Sequence, residues 1–342
     1  MITTHTELVT IRDFMPTDED FAKTNRIDDA NFPDYVQTLE ESKHWYESLD
    51  TSRYARRRYM ADLVGTGDTV AWVEWRHSVY SFDPDRYYMW LCVHPDHQRR
   101  GIGSHLYARV LADMRARNAQ ALRAQANEKY LHTVSFLDKR GFYEIAREWE
   151  SRMNPQHFDP TAFEGYVQRL DEMGIEVVTL AQLRESDPDW LRKLYELQTQ
   201  AEADVPSPSP YTAPTIEQFE RGEISAPALI PEAFFVGRLG DRYVGESYMM
   251  RSHETEHALD QGFTGVAREF RGRGIAVALK AIGLMWAKQT GCNALKTWNS
   301  TLNEPMLAVN GKLGYQRLPA WIDYEKRLRP DASDDRGAED TA

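Results

Sequence analysis

Two glycine- and arginine-rich segments, one in each half of the chain, constrain the possible folds more than any other feature. Residues 98–103 read QRRGIG and residues 271–276 read RGRGIA. Gly101 and Gly274 differ by 173 in residue number, and the same offset relates Gly141-Phe142 to Gly314-Tyr315. A repeat with so long a period predicts two structurally equivalent modules, each spanning about half of the chain.

The length of 342 residues also agrees with two domains of ordinary size. A polar stretch after residue 153 predicts the join. We predict an N-terminal domain over 1–155, a linker over 156–174, a C-terminal domain over 175–328 and a flexible tail over 329–342. The proline-rich segment 204–214 predicts an extended loop.

Net charge and cysteine content indicate which binding partners and which cellular compartment the sequence favours. The net charge of −12 disfavours nucleic acid and favours a small cationic molecule, although acidic surfaces also serve solubility. No apolar run is long enough for a membrane span. Two cysteines, Cys92 and Cys292, are too few for a disulfide framework, which predicts a reducing, cytoplasmic environment. His94 and His97 lack a third ligand, so no metal site is predicted.

The sequence of each module predicts a strand, then a glycine turn and then a helix. Strands are predicted over 69–75 and 87–93 in the first module, and over 234–238, 243–250 and 258–266 in the second. Helices are predicted after Gly103 and after Ala276. The N–H groups at such a helix start have no internal partner, and with arginines beside them they suit a diphosphate.

Two other phosphate-binding motifs are excluded by the residues that follow the glycines. Neither segment completes Gly-x-Gly-x-x-Gly, the dinucleotide fingerprint, and neither continues into Gly-Lys-Ser/Thr. The segments instead resemble motif A of the GNAT acetyltransferase superfamily, Val-x-Pro-x-x-Gln/Arg-x-x-Gly-x-Gly/Ala. Residues 93–103 match every position, and residues 266–276 carry Arg268 in place of the proline.

The resemblance implies a fold and a cofactor. The implied fold is α/β, with two tandem GNAT-type domains, each a mixed, mostly antiparallel twisted sheet that splays after the fourth strand and is flanked by helices. The implied cofactor is acetyl-CoA. The residues implied to bind it are Val93, Gln98, Arg99, Arg100, Gly101, Ile102, Gly103, Ser104 and Asn127 in the first module, and Val266, Arg271, Gly272, Arg273, Gly274, Ile275, Ala276, Val277, Asn299 and Asn303 in the second. Asn303 has a competing interpretation as a helix cap.

The catalytic residues are less clearly marked. The tyrosine that the family places four residues before the glycine-aromatic pair is replaced by Leu137 and Asn310. Asn310 can donate a hydrogen bond but leucine cannot, so the sequence favours the second module as the catalytic one. Candidate bases are Glu246 and Asp260 in the second module and Glu74 in the first, although acidic residues on strands more often face solvent.

Two further features of the first module have both a structural and a functional interpretation. Cys92 suits a buried core position better than a nucleophile. Aromatic residues crowd the central strands, and they suit either the core or an acceptor cleft: Trp72, Trp75, Tyr80, Tyr87, Tyr88 and Trp90.

These features lead to one functional hypothesis and two alternatives. The leading hypothesis is an acetyl-CoA-dependent N-acetyltransferase, monomeric or homodimeric, in which a primary amine of a small cationic molecule attacks the thioester directly. One alternative is a non-catalytic acyl-CoA sensor, which the missing tyrosines favour. The other is an acyltransferase similar to mycothiol synthase.

Overall fold

The computed structural model describes residues 8–329, which form thirteen strands and ten α-helices. The strands are β1 Val9–Asp13, β2 Arg56–Leu63, β3 Thr69–Arg76, β4 Arg86–Val93, β5 Ala121–Asn127, β6 Tyr143–Met153, β7 Glu176–Thr179, β8 Leu229–Leu239, β9 Arg242–Arg251, β10 Ala258–Val266, β11 Ala294–Ser300, β12 Gln316–Arg317 and β13 Trp321–Arg327. The α-helices are α1 Asp18–Asn31, α2 Leu39–Ser48, α3 Ile102–Ala116, α4 Leu131–Asp138, α5 Glu164–Glu172, α6 Leu180–Ser186, α7 Trp190–Glu202, α8 Ile216–Phe219, α9 Ile275–Gln289 and α10 Glu304–Lys312. Within these residues, no helix has both the length and the apolar character that a membrane span requires.

The N-terminal unit consists of residues 8–43, 49–146 and 321–329. Its sheet has the strand order β1-β2-β3-β4-β5-β13. β4 and β5 are parallel, and the other neighbours are antiparallel. Helix α3 packs on β3 and β4 through Leu106, Val110 and Met114, which are fully buried at helical spacing.

The C-terminal unit consists of residues 44–48 and 147–320. Its sheet has the order β6-β11-β10-β9-β8-β7, and the short β12 also pairs with β6. Here β10 and β11 are the parallel pair. Helix α9 packs on β8 and β9 through Leu279 and Leu284, and α7 packs on β9 and β10.

The division between the units differs from the one predicted. The unit boundary falls at residues 146–147 rather than near 155, and β13, assigned by the sequence to the C-terminal domain, pairs with β5 in the N-terminal unit. Residues 148–153 of β6 pair with β11. The segment predicted as a linker, 156–174, contains α5, which packs against α9. The predicted tail lies outside the described residues, except for Arg329.

Both sheets splay as the resemblance implied. Parallel pairing of β4 with β5 extends over Arg86–Met89 opposite residues 121–124, and residues 90–93 continue alone on that side. Pairing of β10 with β11 is limited to residues 258–260 opposite 294–296. A strand that loses its neighbour leaves main-chain N–H and C=O groups available to an extended ligand. The predicted fold class is confirmed.

Candidate functional site

The two glycine loops share one backbone geometry. Gly101 and Gly274 precede α3 and α9 as their N-cap residues, with φ of 87° and 85°. This left-handed conformation strains any residue that has a Cβ atom. Among residues 8–329, no side chain caps the first N–H groups of either helix. Both helix starts therefore have the form of an anion site, as the repeated sequence predicts.

The first loop opens onto a groove in the N-terminal unit. The cavity has a volume of about 320 Å³. No atom lies within 4 Å of the position that a Cβ of Gly101 would take. Arg99 and Arg100 are exposed and have no ion pair among residues 8–329. The lining comes from the loop, the splayed end of β4, β5 and α4, and includes Trp90, Cys92, Val93, Gln98, Arg99, Gly101, Gly103, Ser104, Asn127, Tyr130 and Arg140.

The second loop is covered by side chains of its own unit. The ring of Tyr166, on α5, lies 2.8 Å from the position that a Cβ of Gly274 would take. The Tyr166 hydroxyl accepts a hydrogen bond from Nζ of Lys312 at 2.7 Å. Arg271 forms an ion pair with Asp204 at 2.8 Å and donates to the carbonyl of Val266. Tyr166 therefore fills space, and Asp204 pairs with a positive charge, that the sequence assigned to a diphosphate.

This difference between the loops predicts unequal effects on coenzyme A affinity. Arg99→Ala is expected to weaken coenzyme A binding about tenfold, because it removes an uncommitted cation beside the first loop. Arg271→Ala is expected to change the affinity less than about twofold, since Asp204 already pairs with that guanidinium. Isothermal titration of each variant with coenzyme A measures both. Arg115→Ala, in the last turn of α3, is the charge control. Equal losses from Arg99→Ala and Arg271→Ala would contradict the assignment to the first loop.

A carboxylate that the sequence did not single out lies beside the splayed end of β4. Nε1 of Trp72 donates to Oδ1 of Asp28, on α1, at 3.1 Å. The thiol of Cys92 and the indole of Trp90 also lie against this carboxylate. Burial away from water raises the pKa of Asp28 to about 7, although the hydrogen bonds from Cys92, Trp72 and Trp90 favour the charged form and lower it. A carboxylate with such a pKa can accept a proton near neutral pH.

The same contacts remove Cys92 from consideration as a nucleophile. Burial, and next to it the Asp28 carboxylate, raise the pKa of the Cys92 thiol well above its usual range. The thiol therefore stays protonated at neutral pH, and a protonated thiol is a poor nucleophile. The buried position that the sequence favoured agrees with this environment.

Aromatic rings surround the groove near Asp28. The ring of Phe32 lies 5.4 Å from those of Trp90 and Tyr130, and 5.9 Å from that of Trp321. All four residues line the cavity. Trp321 belongs to β13, so the end of the described chain completes this wall. Clustered aromatic faces attract organic cations, especially where a carboxylate lies nearby.

Two of the predicted bases are held in ion pairs. Glu74 lies on β3 with its carboxylate 2.9 Å from Nη2 of Arg58. Asp260 lies 3.6 Å from Nζ of Lys296, and burial raises its pKa to about 6 despite that lysine. Glu74 is therefore compensated by a guanidinium, which favours a structural role, whereas Asp260 keeps a pKa at which it can exchange a proton.

The other predicted residues of the second module are engaged within the protein or buried. Nδ2 of Asn310 donates to Oδ1 of Asn299. Asn303 caps α10, because its Oδ1 accepts the N–H of Met306 at 3.3 Å, as the competing interpretation predicted. Glu246 is fully buried on β9. Seven of the nine residues that the sequence assigns to the cofactor in the first module line one groove, namely Val93, Gln98, Arg99, Gly101, Gly103, Ser104 and Asn127. Arg100 and Ile102 are not among its lining residues, and within residues 8–329 neither is any of the catalytic candidates.

Comparison with known proteins identifies the part of the chain that contains the groove. Residues 22–142 match the family model for the acetyltransferase (GNAT) family. This segment is a GNAT acetyltransferase domain. It includes the first glycine loop and the Gly141-Phe142 pair, so the resemblance inferred from those residues is confirmed. Proteins of the GNAT family use acyl-CoA, and residues 22–142 are therefore similar to an acyltransferase domain. A search of curated proteins finds no significant match.

Solved structures extend the GNAT fold to nearly the whole chain. A tandem GNAT protein from the clavulanic acid biosynthesis pathway superposes with a TM-score of 0.71 at 17% identity, covering 94% of this chain and 99% of that one. A GCN5-related N-acetyltransferase from Sphaerobacter thermophilus gives a TM-score of 0.65 at 18% identity, covering 95% and 97%. N-myristoyltransferase from Saccharomyces cerevisiae, with bound myristoyl-CoA, gives a TM-score of 0.60 at 10% identity, covering 95% and 81%. At these identities the likeness shows the fold.

Proposed function

We propose that the protein is an acetyl-CoA-dependent N-acetyltransferase that modifies a primary amine of a small cationic molecule, and that its N-terminal GNAT domain is the catalytic one. The observation that carries this proposal is the position of Asp28. Its carboxylate accepts the N–H of Trp72 and lies against Trp90 and Cys92, two residues that line the groove of the first glycine loop, and its pKa is about 7. The sequence favoured the second module, but the loop there is covered by Tyr166.

The groove fits the cofactor at both of its ends. The first N–H groups of α3, together with Arg99 and Arg100, suit a diphosphate. The unpaired edge of β4 over residues 90–93 suits an extended pantetheine arm, which can bind as an added strand would. Acetyl-CoA supplies an activated thioester when bound. We assign acetyl-CoA to this groove because it is the cofactor that the family generally uses. Assays with different acyl-CoA substrates distinguish acetyl-CoA from a cofactor with a longer acyl group.

The acceptor end has the two features that an amine requires. An ammonium group must lose a proton before its nitrogen can attack a carbonyl carbon, and Asp28 is placed to take that proton. The aromatic wall of Phe32, Trp90, Tyr130 and Trp321 attracts the cation. The amine then attacks the thioester directly, because Cys92 is held as a neutral thiol.

Release of free thiol from acetyl-CoA in the presence of an amine panel tests the proposal. The panel contains linear polyamines, arylalkylamines, amino sugars and amine-free alcohols as controls. We expect release with at least one amine class and none with the alcohols. If coenzyme A binds but no amine supports release, the sensor alternative replaces the enzyme. Release confined to a thiol-precursor sugar amine would support the alternative similar to mycothiol synthase.

A further inference from the structure

The C-terminal unit contains a cluster of three carboxylates away from its glycine loop. Glu202 ends α7, Glu223 lies in a π-helical turn over residues 220–224, and Glu246 lies on β9. Nε2 of Gln198 donates to carboxylate oxygens of both Glu202 and Glu223. The hydroxyl of Tyr211, in the proline-rich loop, donates to Oε2 of Glu202 at 2.7 Å. Hydrogen bonds therefore join three separate segments at this acidic cluster.

The direction of Glu246 follows from its neighbours on β9. A Cβ on Gly245 would touch the side chains of α9, so Glu246 points to the opposite face of the sheet. Its partner in β10 is Gly265, and a Cβ there would lie 2.8 Å from the side chain of Ala201 on α7. Glu246 therefore lies beneath α7, on the side of the sheet where Gln198 and Glu202 are found.

Three buried side-chain oxygen atoms in this cluster have no hydrogen-bond partner among residues 8–329. Two of them are the carboxylate oxygens of Glu246, which is 0% exposed. Gln198 is 1% exposed, and its Oε1 also has no donor. Burial, and after it the charges of Glu202 and Glu223, raise the pKa of Glu246 well above its usual range. A buried acceptor without a donor is costly, so a ligand that brings several donors would stabilise this arrangement.

We propose that this cluster binds the primary ammonium group of a small organic cation, at a site separate from the acyl-CoA groove. An ammonium group supplies three N–H donors, as many as the unpartnered oxygens of Glu246 and Gln198. The stacked rings of Phe234 and Tyr248, 4.5 Å apart, lie on the same face as Glu246 and suit the carbon body of such a ligand. Tyr211 adds a third ring.

The arrangement disfavours a metal ion. Among residues 8–329, no group of three or more histidine, cysteine, aspartate or glutamate side chains is close enough to hold one. The proposal does not depend on acetyl transfer, because every residue of the cluster lies in the C-terminal unit and the groove is lined by residues of the N-terminal unit.

Isothermal titration of the whole protein with putrescine, spermidine and glucosamine tests the site. We expect at least one of these amines to bind, and tetramethylammonium, which has the charge but no N–H donor, to bind about tenfold more weakly or not at all. Glu246→Gln is expected to weaken amine binding about tenfold. Binding should also release protons from Glu246, which titrations in buffers of different ionisation enthalpy detect. Glu232→Gln on β8, at an exposed position, makes the same residue substitution away from the cluster and should leave binding unaltered.

Three results would overturn the proposal. They are the absence of binding by all three amines, equal binding by the wild type and Glu246→Gln, and loss of binding in Asp28→Asn, which would assign the amine to the other groove. If circular dichroism shows that Glu246→Gln does not fold, Gln198→Leu replaces it with the same expectations. Thiol release is measured separately, so failure of the amine site and failure of the proposed enzyme are distinguishable.

Discussion

Replacing Asp28 with asparagine is expected to lower kcat for acetyl transfer by roughly 10²- to 10³-fold while the affinity for acetyl-CoA stays unchanged. Asparagine keeps the oxygen that accepts the Trp72 N–H, so the local fold is preserved. It cannot take a proton from the acceptor amine. The expected loss is therefore confined to the chemical step, and isothermal titration with coenzyme A checks that binding is intact.

The pH dependence of the reaction gives a second measurement of the same role. A base acts in its ionised form, so the kcat/KM of the wild type should rise with pH through a pKa near 7, where Asp28 loses its proton. Asp28→Asn should remove that step from the profile. Asp29→Asn, the same change at the next residue of α1, should leave rate and profile as in the wild type. An Asp28→Asn enzyme with wild-type kcat would contradict the assignment.

Replacing Lys280 with methionine is expected to raise the free energy of unfolding by roughly 4 kcal/mol at pH 7. Lys280 lies on α9, is 1% exposed and has no ion pair among residues 8–329. Burial lowers the pKa of its ammonium from 10.5 to about 7. The unfolded chain therefore holds this proton more tightly than the folded one, which destabilises the folded state wherever the unfolded lysine is charged.

The sign of this effect is tested by its pH dependence. The gain from Lys280→Met is expected to be full below pH 7, to shrink by about 1.4 kcal/mol per pH unit above it, and to vanish near the unfolded pKa of 10.5. Chemical denaturation at pH 7 and pH 9.5 measures the difference. Lys288→Met on the same helix should instead destabilise the protein, because Nζ of Lys288 donates to the carbonyl of Phe158. A gain that does not change with pH would show that packing, and not charge burial, is responsible.

Much of the architecture follows from local sequence. The strand predicted over 258–266 is β10, and the predicted hairpin around residues 239–242 joins β8 and β9. Gly101 and Gly274 take the left-handed conformation that only glycine adopts without strain. Each of these features is encoded by adjacent residues, whose alternation and turn chemistry do not depend on distant partners.

Features that depend on distant partners did not follow from the sequence. The ring of Tyr166 covers Gly274 because α5 folds back on α9, in a segment whose polar composition resembled a linker. Asp28 is one of several acidic residues in α1, and nothing in the local sequence sets it apart. Its buried environment is formed with Trp72 and Cys92, which are distant in the chain. The repeat predicted two structurally equivalent modules but not the covered second loop, because it preserves the backbone of the loops and not the side chains that pack on them.

The placement of β13 determines the order in which the units can be completed during synthesis. The C-terminal unit ends at residue 320, whereas the N-terminal unit requires residues 321–327 to cover the edge of β5 and to supply Trp321 to the groove. A nascent chain that ends before residue 321 therefore contains every segment of the later domain and an earlier domain with an exposed strand edge. The half that is translated first is the half that finishes folding last.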